Sequence, residues 1–208
     1  MNPQDFSCPE AGQLVRTVEG NWAFVPAPLP PAIVYDSALV VALSQADAAL
    51  SELSGLGCQL PNPHLLIAPY MRREAVLSSR IEGTRASLSD VLIDEMSADG
   101  IKSVDDDVRE VRNYIRAMEH GLARLNELPL SLRLVCELHE HLMQGVRGEK
   151  ATPGEFRRRQ NWIGSPGSTE ANASYVPPPV LEMKNALNAW EVFLHQHDTI
   201  PDLIQCAL

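Results

Sequence analysis

An all-α fold with one β-hairpin is predicted by three features of this sequence. Apolar residues recur every three or four positions over most of residues 39–194, the period of a helix face. Glycine, proline and Ser/Asp positions punctuate that pattern where helices stop and start. One stretch, residues 148–178, loses the period and carries β-formers at Trp162–Ile163 and Tyr175–Val176, as a long loop or open hairpin would.

Residues 1–32 read as an extended arm. Pro26, Pro28, Pro30 and Pro31 cluster there, and each proline fixes φ and biases its predecessor away from helix. Trp22 and Phe24 either dock this arm on the body or form a partner surface. Leu39, Leu43, Ala46, Leu50 and Leu53 mark a first helix, stopped by Gly55 and Gly57. Pro61 and Pro63 open a second helix, about residues 64–83, with Pro69 in its first turn or at a kink and Gly83 at its end. Ser87, with Asp90 three residues on, begins a short helix to about Met96. Ser103 is the expected N-cap of the next helix, and Asp105, Asp106 and Asp107 complement its positive end, so that acidic run reads as a helix start and not as a metal site. Val108, Val111, Ile115, Met118, Leu122 and Leu125 then form the most regular face in the chain. Pro129 and Ser131 restart the chain, and Leu132, Val135, Leu138, Leu142 and Val146 make another core face. Pro177 to Pro179 close the aperiodic segment, and Met183, Leu187, Trp190 and Leu194 form a further helix face. The apolar run Leu203, Ile204, Ala207, Leu208 is either a docked terminal helix or, as expected here, an element in which the chain stops.

Composition narrows the function classes. Lys+Arg 17 against Asp+Glu 27 gives 208 residues a formal charge of −10, which argues against a nucleic-acid binder and leaves room for a nucleotide at a local site. Cys8, Cys58, Cys136 and Cys206 form no C-x-x-C pair. Cys136 and Cys206 lie in apolar runs and are expected as core residues, with reduced thiols in a cytoplasmic protein. The N-terminus lacks the basic and apolar regions of a secretory signal. No stretch nears the roughly 18 apolar residues of a membrane span. A Gly-rich phosphate loop, H-E-x-x-H, G-x-S-x-G and the dinucleotide fingerprint are all missing. His139 and His141 are i and i+2, as are His195 and His197, so each pair points to different faces and is expected at the surface or at helix ends. Generic motifs alone leave an α-helical binding module.

Two segments say more. In Ser78-Ser-Arg-Ile-Glu82-Gly83, Ser78 and Glu82 are i and i+4 and share a helix face. Glu82 falls in the last turn, where the negative helix end disfavours an acid, so a carboxylate there invites a cationic partner; the plain alternative is an exposed Glu before a capping glycine. The other segment is Thr152-Pro-Gly154-Glu-Phe156-Arg157-Arg-Arg-Gln-Asn-Trp162-Ile-Gly164, followed by Tyr175-Val-Pro-Pro-Pro179. Its three consecutive arginines are either a solvated loop or part of a site.

In this order and spacing the segments resemble the Fic (filamentation induced by cAMP) family, in its class with an N-terminal inhibitory helix. Ser78-Ser-Arg-Ile-Glu82-Gly83-Thr84 is similar to that class's [S/T]xxxE[G/N] inhibitory motif, and residues 153–179 look like the family's flap. The Pro-rich stretch near 24–32 and residues 64–75 also resemble the family's N-terminal region, so the likeness spans roughly residues 24–208. It implies a helical Fic-type fold with one β-hairpin flap and its C-terminal part missing. The divisions would be an arm at 1–32, a helical domain at 33–126 with its inhibitory helix at about 64–83, and the first part of the core at 127–208 with the flap at 148–178. The implied activity is transfer of AMP from ATP, with Mg²⁺, to a Ser, Thr or Tyr hydroxyl of a target protein. Glu82 would be the inhibitory glutamate, with Ser78 and Gly83 in the same motif. Trp162, Ile163, Gly164, Tyr175 and Val176 would be flap edges to which the target adds as a β-strand, with Gly154 and Arg157 as flap support. The resemblance also implies self-association, while the charge, cysteines and hydropathy above lead us to expect a cytoplasmic location and neither nucleic-acid nor membrane partners. The family's catalytic loop, HPFxDGNGR, does not occur in these residues. This chain by itself is therefore expected to be inactive, holding no catalytic base or metal ligand. The other reading is a naturally short, antitoxin-like protein that presents its inhibitory helix to a separate catalytic core.

Overall fold

A computed structural model of the chain describes residues 1–96, 105–146, 152–196 and 199–208. Helices dominate it, and a two-stranded antiparallel hairpin is the sheet among the described residues. Two compact units divide the chain, residues 48–155 in one and residues 1–47 with 156–208 in the other. This partition runs differently from the divisions at 32/33 and 126/127 that the resemblance implies.

The helix α1, Ser37–Gly57, crosses the boundary between the units. Asp36 caps it, its carboxylate accepting from the Leu39 N–H at 2.8 Å. Gly55 does not stop it; the helix runs on to Gly57. The expected core face does not form: Leu39 and Leu43 are half-buried, whereas Leu50 and Leu53 are exposed.

In the unit of residues 48–155, α2 (His64–Ile81), α3 (Leu88–Met96) and α4 (Asp106–Arg124) surround one core of Ala75, Val76, Ala86, Val91, Val108, Val111 and Ile115. Pro69 sits at the sixth position of α2, past the first turn, where it cannot donate to the Leu65 carbonyl. Ser87 and Asp90 form a reciprocal cap for α3: the Ser87 N–H donates to the Asp90 carboxylate at 2.8 Å, and the Asp90 N–H donates to Ser87 Oγ at 3.2 Å. The Ser87 hydroxyl, donating to the Asp90 carboxylate at 2.6 Å, and then the Ser87 N–H hold that carboxyl below its ordinary value. Arg72–Glu95 at 2.9 Å and Arg112–Asp94 at 2.8 Å tie α3 to α2 and α4. Asp105, not Ser103, caps α4 and accepts from the Asp107 N–H; Ser103 lies outside the described residues.

The face of α4 is buried only in its first half. Val108, Val111 and Ile115 are buried, Met118 is half-buried, and Leu122 and Leu125 are exposed. Beyond Met118 the neighbour is α5 (Leu132–Leu142), which leaves an apolar groove of about 340 Å³ between them, lined by Leu122, Leu125, Leu130 and Leu134. Ser131 caps α5 as expected, accepting from the Leu134 N–H at 3.3 Å. The buried residue of α5 is Leu134, one not expected, while Leu132, Val135, Leu138, Leu142 and Val146 are half-buried. Asn113, almost fully buried within the apolar face of α4, donates to the carbonyls of Leu142 and Gln144 and so satisfies the end of α5.

In the unit of residues 1–47 and 156–208, the arm is not simply extended. It begins with a 3-10 turn, Pro3–Phe6, and folds into the hairpin of β1 (Gly12–Arg16) and β2 (Trp22–Pro26), in register from Gly12 opposite Pro26 to Arg16 opposite Trp22. Arg16 covers the Trp22 ring at 3.5 Å and donates to the Gly20 carbonyl, which fixes the turn. The hairpin of this fold thus lies in the arm, whereas Ile163 and Tyr175 meet in a single antiparallel bridge. Later in the chain come α6 (Val180–Leu194), which buries Phe193, and α7 (Asp202–Ala207). Cys136 is half-buried, and Cys206, expected in the core, is exposed on α7.

Candidate functional site

The sequence-predicted residues fall in two places. Ser78, Glu82 and Gly83 lie at the C-terminal end of α2. That end is a Schellman turn: the Thr84 N–H donates to the Ser79 carbonyl at 3.1 Å and the Gly83 N–H to the Arg80 carbonyl at 3.0 Å. Gly83 has φ +95, a conformation L side chains rarely adopt, which explains glycine there. Glu82 is the C-cap residue, exposed, and among the described residues no side chain pairs with its carboxylate. Ser78 does not engage Glu82; its hydroxyl donates to Glu74, one turn earlier, at 2.7 Å. The same stretch of α2 bears a groove of about 430 Å³ lined by Tyr70, Arg73, Glu74 and Leu77.

Just past this turn the chain is held firmly. Thr84 is buried and its hydroxyl donates to Glu110 at 2.9 Å, while the Arg85 N–H donates to Asp107 at 2.7 Å. Both acceptors lie in the first turns of α4, so the direction in which α2 ends is set by α4. Glu74, Glu110 and Asp107 escape a reading of the sequence for this site; only the i, i+4 spacing of Glu74 and Ser78 hints at any of them.

The other place is residues 152–178. Ile163 and Tyr175 exchange both backbone hydrogen bonds, at 2.8 Å and 3.1 Å. Trp162 and Ile163 are 41 % and 64 % exposed. The Trp162 indole N–H donates to the Ser168 carbonyl and folds the loop back on itself. Gly164 lies under that fold, where a Cβ would collide with Ser168 Oγ. Val176 is fully buried, so its side chain is not a docking edge; its carbonyl accepts from the Phe24 N–H at 3.0 Å. Burial raises the Tyr175 hydroxyl pKa, and the ring lies 5.9 Å from that of Phe6.

Gly154, at φ +79, donates its N–H to Nδ1 of His139 at 2.9 Å, so His139 is a half-buried acceptor and not a surface histidine. The neighbouring Cys136 thiol is raised by burial and then by Glu155. His141 stacks near His120, 4.2 Å between ring centroids; His195 is the C-cap of α6, and His197 lies outside the described residues. Arg157 donates to the carbonyls of Pro178 and Arg159, closing the base of the flap segment, and burial lowers its pKa.

Among the described residues no three His, Cys, Asp or Glu side chains converge as a metal site. Nor is any described helix long and apolar enough to cross a membrane.

A mostly helical protein, with one small antiparallel hairpin and a glutamate displayed where a helix ends, is the class these features define. Residues 40–123, which include α2 with Glu82 and nearly all of α4, match the Fic/DOC family N-terminal region. That match supports membership of the Fic/DOC family.

Proposed function

We propose that this chain supplies the inhibitory and target-docking parts of a protein adenylyltransferase, acting in the cytoplasm on a Ser, Thr or Tyr hydroxyl of a target protein. The observation that carries this reading is Glu82: an exposed carboxylate at a Schellman-capped helix end, unpaired among the described residues, inside the stretch matched to the family. Such a group is poised to pair with an arginine that would otherwise hold the γ-phosphate of ATP. In the family, AMP transfer also needs a base and metal ligands carried by the HPFxDGNGR loop, a motif that does not occur in residues 1–208. In this reading the chain contributes restraint and docking, and ATP and Mg²⁺ belong with the catalytic loop. The exposed Trp162–Gly164 edge supports a docking role, because backbone pairing accepts many target sequences.

The test is Glu82→Gly in a protein joining this chain to an HPFxDGNGR-type loop, with ATP labelled at the α-phosphate. Transfer to protein should rise at least about fivefold, the low end of allosteric coupling. Unchanged transfer refutes the inhibitory role. The chain supplied in trans to a separate core distinguishes the antitoxin-like reading, which requires suppression that Glu82→Gly abolishes.

A further inference from the structure

Strand alternation reveals how the flap segment is held. In an antiparallel pair the backbone groups of successive residues face opposite sides. The Thr17 N–H donates to the Asn21 carbonyl and the Ala27 N–H to the Ala11 carbonyl, so odd-numbered residues of β2 face β1 and Phe24 faces away. The Phe24 N–H reaches the Val176 carbonyl at 3.0 Å, while Tyr175, one residue earlier, faces Ile163. The order is therefore β1, β2, Tyr175–Val176, Ile163. In this layer the return limb of the flap lies between β2 and Ile163, and the backbone groups of Trp162 and Gly164 face outward beyond it.

Contacts distant in sequence reinforce this layer. Ala23, Ala173 and Val176 form a buried cluster with Met1 and Val15 against it. The Phe6 ring lies 5.2 Å from Phe24 and 5.9 Å from Tyr175. Glu170, 4 % exposed, accepts from the Thr17 hydroxyl and from the Asn21 amide at the hairpin turn. The N-terminal ammonium donates to the Ala173 carbonyl.

We infer that the N-terminal hairpin is a positioning element of the docking flap: it occupies the inner edge of Tyr175–Val176, so that an extended polypeptide adds at the outer Trp162–Gly164 edge. This rests on the docking role proposed above for those residues. An isolated two-residue bridge is too short to persist unaided, and the hairpin supplies the second side that keeps Ile163 and Tyr175 paired. A covered inner edge also fixes which face of the flap an incoming strand meets.

Residue-resolved amide exchange on the full chain tests this. Phe24→Pro removes the donor to Val176 and leaves the β1–β2 ladder intact, since that N–H is not part of the ladder. The Ile163 and Tyr175 amides should then exchange about tenfold faster, the size expected for losing a buried bond and its ring contact. The Phe193 amide in α6 should change much less. Phe6→Ala, which keeps every backbone donor, should act in the same direction by a smaller factor. A peptide of alternating valine and threonine serves as the docking probe, and its protection of the Trp162 and Gly164 amides should weaken in both variants. Equal acceleration at Ile163, Tyr175 and Phe193, or undiminished probe protection, overturns the proposal. Exchange reads the hairpin without any AMP transfer, so its failure leaves the Glu82 test standing, and failure of that test leaves this one standing.

Discussion

Gly83→Ala isolates one backbone conformation at the candidate switch. Gly83 has φ +95, and a Cβ built there meets nothing within 4 Å. The penalty is therefore conformational and not steric, about 1–2 kcal/mol for an L residue in this region. If the chain keeps its Schellman turn, the unit of residues 48–155 loses that much stability. The amides of Val111 and Ile115, buried in its core, should then exchange about 5–30 times faster where they open by unfolding. Gly83→Asn should cost less, because asparagine tolerates positive φ. Urea titration followed by circular dichroism gives the same comparison, with an unchanged slope marking a pure stability effect. Equal losses for Ala and Asn, or a loss above about 3 kcal/mol, would refute the reasoning, since either requires the new side chain to meet something. A loss below about 0.3 kcal/mol would mean that the turn is not held at positive φ.

Two further outcomes concern the same unit. Val111→Ala should cost about 2 kcal/mol, the transfer of two methyl groups plus a small cavity, whereas Leu122→Ala, 55 % exposed, should cost well under half as much; similar losses in urea titration would mean that the groove-lining half of α4 is covered in solution. Glu137 is held at about 2, chiefly by the hydrogen bond from Arg124, with Arg133 also donating, against an ordinary value of 4.5. Its folded value is depressed, so its stabilisation is complete above about pH 4.5 and is lost as pH falls towards 2. Glu137→Gln should flatten urea stability across that window, and an unaltered acid slope would count against the pairing.

Much of the fold was legible because it is local. The caps of α3 and α5 involve residues three apart, and the end of α2 at Gly83 depends on one residue's conformational freedom. The hydrophobic period placed each helix but not its burial. Val111 and Leu122 share one periodic face, yet one is wholly buried and the other exposed. Leu134 and Asn113 were missed for the same reason, since only the packing of α4 against α5 selects them.

The candidate site divides in the same way. The sequence by itself determined the motif order and the helix that displays Glu82, because these depend on residue types at short spacing. Tertiary structure alone decided that Ser78 binds Glu74, that Thr84 and Arg85 anchor to α4, and that the arm folds into a hairpin against Val176. Phe24 and Val176, like Thr17 and Glu170, are some 150 positions apart. No periodicity or cap links residues at that separation; only burial of Ala23, Ala173 and Val176 together brings them into reach.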